Sequence, residues 1–276
     1  MEEALIYDVG LHTGDDTEFY LRKGYSVLGI EADPTLVAAA KIRFHEAIMR
    51  GRLHLVEGAV APASAGDAIV FYANPHSDWG TIRCDWASRN EMLGSPSERI
   101  EVKRVDIAEI FRKYGIPFYL KVDIEGADLE VLEALKGFPD RPRYVSLESD
   151  KVRFSRLRAE MDLLESLGYA KFKVVQQGTI SGMRISTRTC DGHPFDYEFG
   201  EHSSGPFGDD LPPPWLTYDE AVKEYRAIFR RYRLFGDFSA YRKIPVKVQR
   251  IVGKLYRKCT RYSGPLPGWF DTHARL

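Results

Sequence analysis

Four apolar runs in this 276-residue chain end in carboxylates. LIYDV carries Asp8, SVLGI leads to Glu31, FYLKV leads to Asp123 and then Glu125, and RYVSL leads to Glu148. A charged group at the end of a buried strand costs desolvation energy unless a ligand or an ion pair needs it. Such carboxylates can accept hydrogen bonds from a ribose, face an ammonium, or take the proton of an alcohol. The alternative is a salt-bridged rim with no ligand.

The residues after the first run narrow the ligand. Gly10 and Gly14 are separated by Leu-His-Thr, so the dinucleotide pattern GxGxxG is absent, and no lysine follows Gly14 to make a triphosphate loop. Asp8 would repel a phosphate. An acidic strand end suits a cation instead: Asp8 would face the ammonium of an amino-acid-bearing cofactor, directly or through water. Gly10, His12, Thr13 and Gly14 would form the turn around it, unless this is a tight turn with no ligand. Glu31 stands roughly 20 residues past the turn, where nucleoside-binding doubly wound folds place the ribose acceptor, and Ala32 follows it.

The elements that must position these groups alternate as strand, turn and helix, which predicts an α/β, doubly wound sheet with ligands at the carboxyl ends of its strands. Strands are expected over 5–9, 26–31, 53–60, 68–73, 118–123, 143–148 and 171–176, with 100–105 as an edge strand. Helices are expected over 16–23, 34–50, 107–114, 127–136 and 155–167. In the second of these Leu36, Ala39, Ala40, Phe44 and Ile48 should form the buried stripe, and Asp106 should cap the third. The third strand end, Gly58 and Ala59, would lie beside the adenine. Asn74–Thr81 is a polar loop with an embedded tryptophan.

DVGLHTGDDTEFYLRKGYSVLGIEADP, followed by YLKVDIEGADLEVLEAL, resembles the FkbM-type family of S-adenosylmethionine-dependent methyltransferases over residues 4–175. The resemblance implies a Rossmann-like class I sheet of seven strands, the last antiparallel, and an S-adenosylmethionine site. It also implies a Ser-x-Trp loop near the cofactor, which brings in Ser77, Trp79 and Gly80, although a tryptophan anchoring a loop explains them equally well. Asp123 or Glu125 is then the expected base for an alcohol acceptor. Some relatives bind a divalent cation here, which makes Asp123 with Glu148 a candidate Mg2+ pair, weakened by Ser149 standing where a second acid would help. No catalytic role is supported for His193, His202 or His273.

Past Gly178 the chain turns to Gly, Ser, Thr and Pro, then to a basic amphipathic helix over 218–235. Trp269–Arg275 alternates well enough to be the final strand, so 1–177 would form the cofactor core, 178–267 an insertion acting as a cap or acceptor lid, and 268–276 the returning strand. Residues 244–259 place Val248, Ile251, Val252, Leu255 and Cys259 on one face with Lys and Arg opposite. Such a helix usually packs its apolar side on the domain, though it can also lie on anionic lipid. From Lys223 to Arg261 there are 13 Lys and Arg against Glu224 and Asp237, a net +11, which leaves −12 for the rest of a chain of net −1. That asymmetry suits a cationic cofactor and an anionic small-molecule, sugar or lipid-linked acceptor.

The expected activity is therefore O-methylation, the alternative being a non-catalytic module that keeps the cofactor fold and holds RNA or membrane with its basic stretch. Nucleic acid is the weaker partner, because DIEG stands where base-methylating enzymes carry an aromatic-rich proline motif. Met-Glu-Glu runs straight into a strand with no leader pattern, and no apolar run approaches membrane length, which leads to a cytoplasmic expectation. Cys84, Cys190 and Cys259 are too widely spaced for a disulfide framework or a metal knuckle.

Overall fold

A computed structural model describes residues 4–76, 79–124, 127–150, 152–236, 239–266 and 268–276. The chain begins with β1 (Leu5–Val9), α1 (Asp15–Arg22), β2 (Ser26–Glu31), α2 (Pro34–Arg43), α3 (His45–Met49), β3 (Leu53–Glu57) and β4 (Ala59–Val60). It continues through β5 (Ala68–Ala73), α4 (Cys84–Met92), β6 (Glu98–Val105), α5 (Ile107–Tyr114), β7 (Tyr119–Val122), α6 (Asp128–Leu135), β8 (Tyr144–Glu148), α7 (Phe154–Ser166) and β9 (Lys171–Gln176). The last part holds the hairpin β10 (Arg184–Arg188) and β11 (Pro194–Glu198), then α8 (Tyr218–Phe235), α9 (Ala240–Lys243), α10 (Val246–Thr260) and β12 (Phe270–Arg275).

The main sheet has the order β3-β2-β1-β7-β8-β12-β9. Six strands run one way, and β12 runs antiparallel between β8 and β9. This is a doubly wound sheet with its last strand reversed, as the family resemblance implies. Its central strands are apolar on both faces because each face meets its own core. Tyr7, Val9, Leu28, Leu120 and Val122 point to the side of α5, α6 and α7, while Ile6, Val27 and Tyr119 point to the side of α1 and α2.

Several boundaries differ from the sequence expectation, each for a packing reason. The third strand splits at Gly58 (φ 141°), where a Cβ would sit 2.4 Å from the carbonyl oxygen of Lys103, and Ala59–Val60 leaves the main sheet to pair with β6. That makes β6 the middle of a small sheet, β4-β6-β5, rather than an edge. The helix after Pro34 breaks at Phe44, whose ring packs over Gly14, and Val37, Ala40 and Phe44 form its buried stripe while Ala39 is exposed. Asp106 caps α5 as expected, accepting from the backbone N–H of Ala108 and Glu109.

The long segment between β9 and β12 packs into both cores. Phe195, Tyr197, Phe199 and Phe207 surround Phe19 of α1, and Phe207 stacks flat on Tyr119 at 4.1 Å. Helix α8 buries Ala221, Val222, Tyr225, Ile228 and Phe229 on the opposite face, beside α7 and β9. Helix α10 corrects the packing expectation outright: Val248, Ile251, Val252, Leu255 and Cys259 are exposed. Among the described residues no helix is long and apolar enough to cross a membrane.

Candidate functional site

The carboxyl ends of β1, β2, β7 and β8 and the start of β12 meet around a cavity of about 600 Å³. Its base is organised by Lys121, which parallel pairing places beside Asp8. The Lys121 ammonium is buried and donates to Asp8 Oδ1 (3.0 Å) and the Gly10 carbonyl (3.2 Å), with Asp16 Oδ2 at 3.4 Å and Asp123 Oδ2 at 3.9 Å. Burial alone would favour the neutral amine, but Asp8, Asp16 and Asp123 outweigh it and hold the side chain protonated well above the usual lysine range. One cation thus ties the first turn to the fourth strand.

This geometry removes Asp8 from the cavity wall. Its carboxylate is fully buried, and besides Lys121 it takes the Thr17 hydroxyl at 2.7 Å, so its charge is matched inside the protein. Thr13 and Gly14 also lie off the wall, Gly14 serving as the left-handed residue before α1. Gly10 lines the cavity, but its missing side chain makes room for protein: a Cβ there would sit 1.9 Å from the Asp123 carbonyl oxygen.

Glu31 is held by its own neighbourhood. His12, at φ 54°, donates its backbone N–H to Oε2 at 2.7 Å, and Asp33 donates to Oε1 at 2.8 Å. Burial raises the carboxyl pKa, and the N–H groups of Asp33, His12 and Ala32 oppose the rise. Both oxygens are thereby fixed in orientation. Ala32, Gly58, Ala59 and Trp79 share this cavity lining. Ser77 and Glu125 lie outside the described residues.

The opposite wall gathers acids from three strands. Asp123 opens into the cavity, its side chain 40% exposed, yet desolvation deep in the cleft is the largest influence on it. Lys121 opposes that rise, Glu148, Asp128 and Asp16 add to it, and its pKa is pushed up to about 7. Antiparallel pairing sets Asp271 of β12 directly beside Glu148. Burial first, then Asp123 and Glu148, drive the Asp271 carboxyl well above the ordinary range, which favours its neutral form. Among the described residues no group of three or more His, Cys, Asp or Glu side chains is arranged to hold a metal ion. Asp123 and Glu148, the candidate Mg2+ pair, both line the cavity.

Part of the remaining lining comes from residues the sequence did not point to. Asp16, pushed up to about 6 by burial against the opposing pull of Lys121, accepts the Ser204 N–H at 2.9 Å and so pins residues 201–204 over the turn. His202 meets His12 edge to face at 4.7 Å. Among the described residues Gln177 Nε2 and Ser203 Oγ are buried without a partner, and both residues line the cavity. The Arg89 guanidinium lies 5.8 Å over Trp79, and Arg242 and Trp269 complete the rim. His273 is buried, its pKa lowered to about 3 mainly by that burial, and it is not on the wall; His193 is exposed on the hairpin.

Alternation with an antiparallel last strand was a readable signal for Asp271, since it sets which residue faces Glu148. Residues 201–204 and Gln177 carry no pattern that marks them.

The sequence pattern of the methyltransferase FkbM domain matches residues 8–171. A comparison with curated proteins finds no match. Similar solved structures include a precorrin-6y C5,15-methyltransferase from Geobacter metallireducens, 13% identical over 72% of this chain and 77% of that one, TM-score 0.36. A SAM-dependent methyltransferase from Archaeoglobus fulgidus is 10% identical over 100% and 87%, TM-score 0.39. A methyltransferase FkbM from Methylobacillus flagellatus is 15% identical over 62% and 39%, TM-score 0.36.

Proposed function

Because the chain belongs to the methyltransferase FkbM domain family, we propose that it methylates a hydroxyl oxygen of an anionic small-molecule, sugar or lipid-linked acceptor, using S-adenosylmethionine. The observation that carries this reading is the pairing, across one cavity, of a fixed carboxylate acceptor at Glu31 with a carboxylate at Asp123 whose pKa is about 7.

The cavity fits the cofactor on chemical grounds. Its volume lies in the range of small-molecule sites. Glu31 offers two oriented acceptors for ribose hydroxyls, Ile30, Ala59 and Val60 supply apolar surface for a base, and the orphaned Gln177 amide and Ser203 hydroxyl need partners that the described residues do not provide. When bound, S-adenosylmethionine supplies a methyl carbon activated by a sulfonium.

The protein's work is then alignment and deprotonation. Asp123, its pKa pushed up toward neutrality, accepts the acceptor's hydroxyl proton at a carboxylate oxygen. Glu125, two residues on, is the other candidate for that role. A neutral Asp271, which its burial favours, would avoid a third negative charge beside Asp123 and Glu148. Arg89 and Arg242 in the wall favour an anionic acceptor. In this reading residues 1–177 with 268–276 hold the cofactor, and the parts of 178–267 that reach the cavity form the acceptor wall.

Calorimetric titration with S-adenosylmethionine and S-adenosylhomocysteine tests the cofactor site, and transfer of labelled methyl to a panel of acidic glycolipids and hydroxy acids tests the acceptor. Absence of binding to either cofactor form would sink the reading.

A further inference from the structure

Helix α10 turns its apolar side outward. Val248, Ile251, Val252 and Leu255 recur at helical spacing and are 42%, 58%, 36% and 57% exposed. The opposite side holds the helix to the body. Gly253 is buried, with the Tyr241 hydroxyl and Leu266 packed where a side chain would go. Tyr256 meets Phe235 edge to face at 4.7 Å, Gln249 Nε2 donates to the Ile244 carbonyl, and Tyr241 donates to the Gln249 carbonyl. The stripe is therefore exposed on a helix that is already anchored.

The charge beside it is of one sign. From Arg242 to Arg261 the chain has eight Lys and Arg and no Asp or Glu. Lys247, Arg250, Lys254 and Lys258 recur at helical spacing along one edge of the stripe, and among the described residues none of them has an acidic partner. An aliphatic band edged by cations matches a bilayer with anionic headgroups: the band enters the acyl boundary and the cations meet phosphate. A second copy would bring two such rows of cations together, which is repulsive. The band also lacks an aromatic side chain on which a nucleic-acid base would stack.

We propose that α10 docks the protein on an anionic lipid bilayer. This stands on the helix alone and goes beyond the methyl-transfer reading. The two meet at Leu266, which packs at Gly253 and also lines the cavity, so a docked protein would hold its cavity wall near the membrane.

The test is co-sedimentation of the full chain with phosphatidylcholine vesicles, with and without phosphatidylglycerol, alongside the double variant Ile251→Ser/Leu255→Ser. The expected result is pelleting only with phosphatidylglycerol, weakened at least about tenfold in the variant, with an unchanged thermal midpoint because both side chains are exposed. Lys254→Ser should weaken it about fivefold. Pelleting equal on the two vesicle types, or unchanged in the double variant, overturns the proposal. So does a dimer in sedimentation velocity that the double variant abolishes, which assigns the stripe to a second copy, or binding of single-stranded RNA that vesicles fail to displace. Failure of cofactor titration leaves the vesicle readout intact.

Discussion

The two walls of the cavity are built in opposite ways. Glu31 is oriented by backbone N–H groups from His12 and Asp33, so local chain geometry fixes an acceptor whose direction does not depend on distant residues. Across from it, Lys121, Asp123, Glu148 and Asp271 come from three neighbouring strands far apart in the chain, and the protonation of Lys121, Asp123 and Asp271 is set by their charged neighbours as well as by burial. A binding group profits from being rigid, whereas a proton acceptor must have its pKa tuned, and tuning needs charged neighbours that only tertiary structure supplies.

Asp123→Asn should break this contrast most sharply. It removes the tuned base and leaves the rigid wall, so turnover should fall about 10²–10⁴-fold while S-adenosylhomocysteine affinity holds in calorimetry. In the parent protein the rate should rise with pH to a plateau above about 7, where Asp123 is ionised, and this limb should vanish in the variant. Stability should run the other way. Asp123 binds its proton more tightly folded than unfolded, about 7 against an ordinary 3.8, so its contribution to stability falls as pH rises across that window. Asp16, at about 6, acts in the same direction.

Lys121→Met asks whether the tuned wall is also a structural one. It leaves Asp8 and Asp16 buried without their cation, which should cost about 3–5 kcal/mol in chemical denaturation. Asp8→Asn in the same chain should recover part of that loss, since the amide needs no counter-charge. Full stability in Lys121→Met would mean that the acids, not the lysine, carry the balance.

Glu31→Ala addresses the rigid wall. Losing hydrogen bonds to a charged acceptor costs about 1.5–3 kcal/mol, so cofactor affinity should fall about ten- to a hundredfold by calorimetry. Turnover at saturating cofactor should change little. A fall in turnover equal to the fall in affinity would join the two walls into one functional unit.

The same contrast explains what the sequence made legible. Strand ends and the acids on them follow from local patterns, so Glu31, Asp123 and Glu148 were visible, and alternation located the final strand, whose reversed direction came from the family resemblance. Asp8 was visible as an acid but not as a buried partner of Lys121, because its lysine lies 113 residues away. Helices α8 and α10 look alike in sequence, both basic and amphipathic. Yet α8 buries Tyr225, Ile228 and Phe229, and α10 packs through Gly253 with its aliphatic face outward. Periodicity tells that a helix has an apolar face, and only the neighbouring surface decides whether that face is covered.

The smallest expected effect is the most discriminating, because its two readouts move in opposite directions. Gln177 Nε2 is buried at the cavity without a hydrogen-bond acceptor among the described residues. Keeping an unsatisfied amide out of water lowers stability, so Gln177→Leu, close in volume, should leave the protein as stable or raise it by up to about 1 kcal/mol. If the amide serves a bound ligand, the same change should weaken that ligand by about two- to tenfold, one neutral hydrogen bond's worth. Titration with cofactor and acceptor kinetics then tell which wall Gln177 belongs to. A loss in cofactor affinity extends the rigid wall to the end of β9, and a rise in acceptor KM alone puts Gln177 on the acceptor side. A variant that is less stable and binds both ligands normally would show the amide to be a partner of the protein itself.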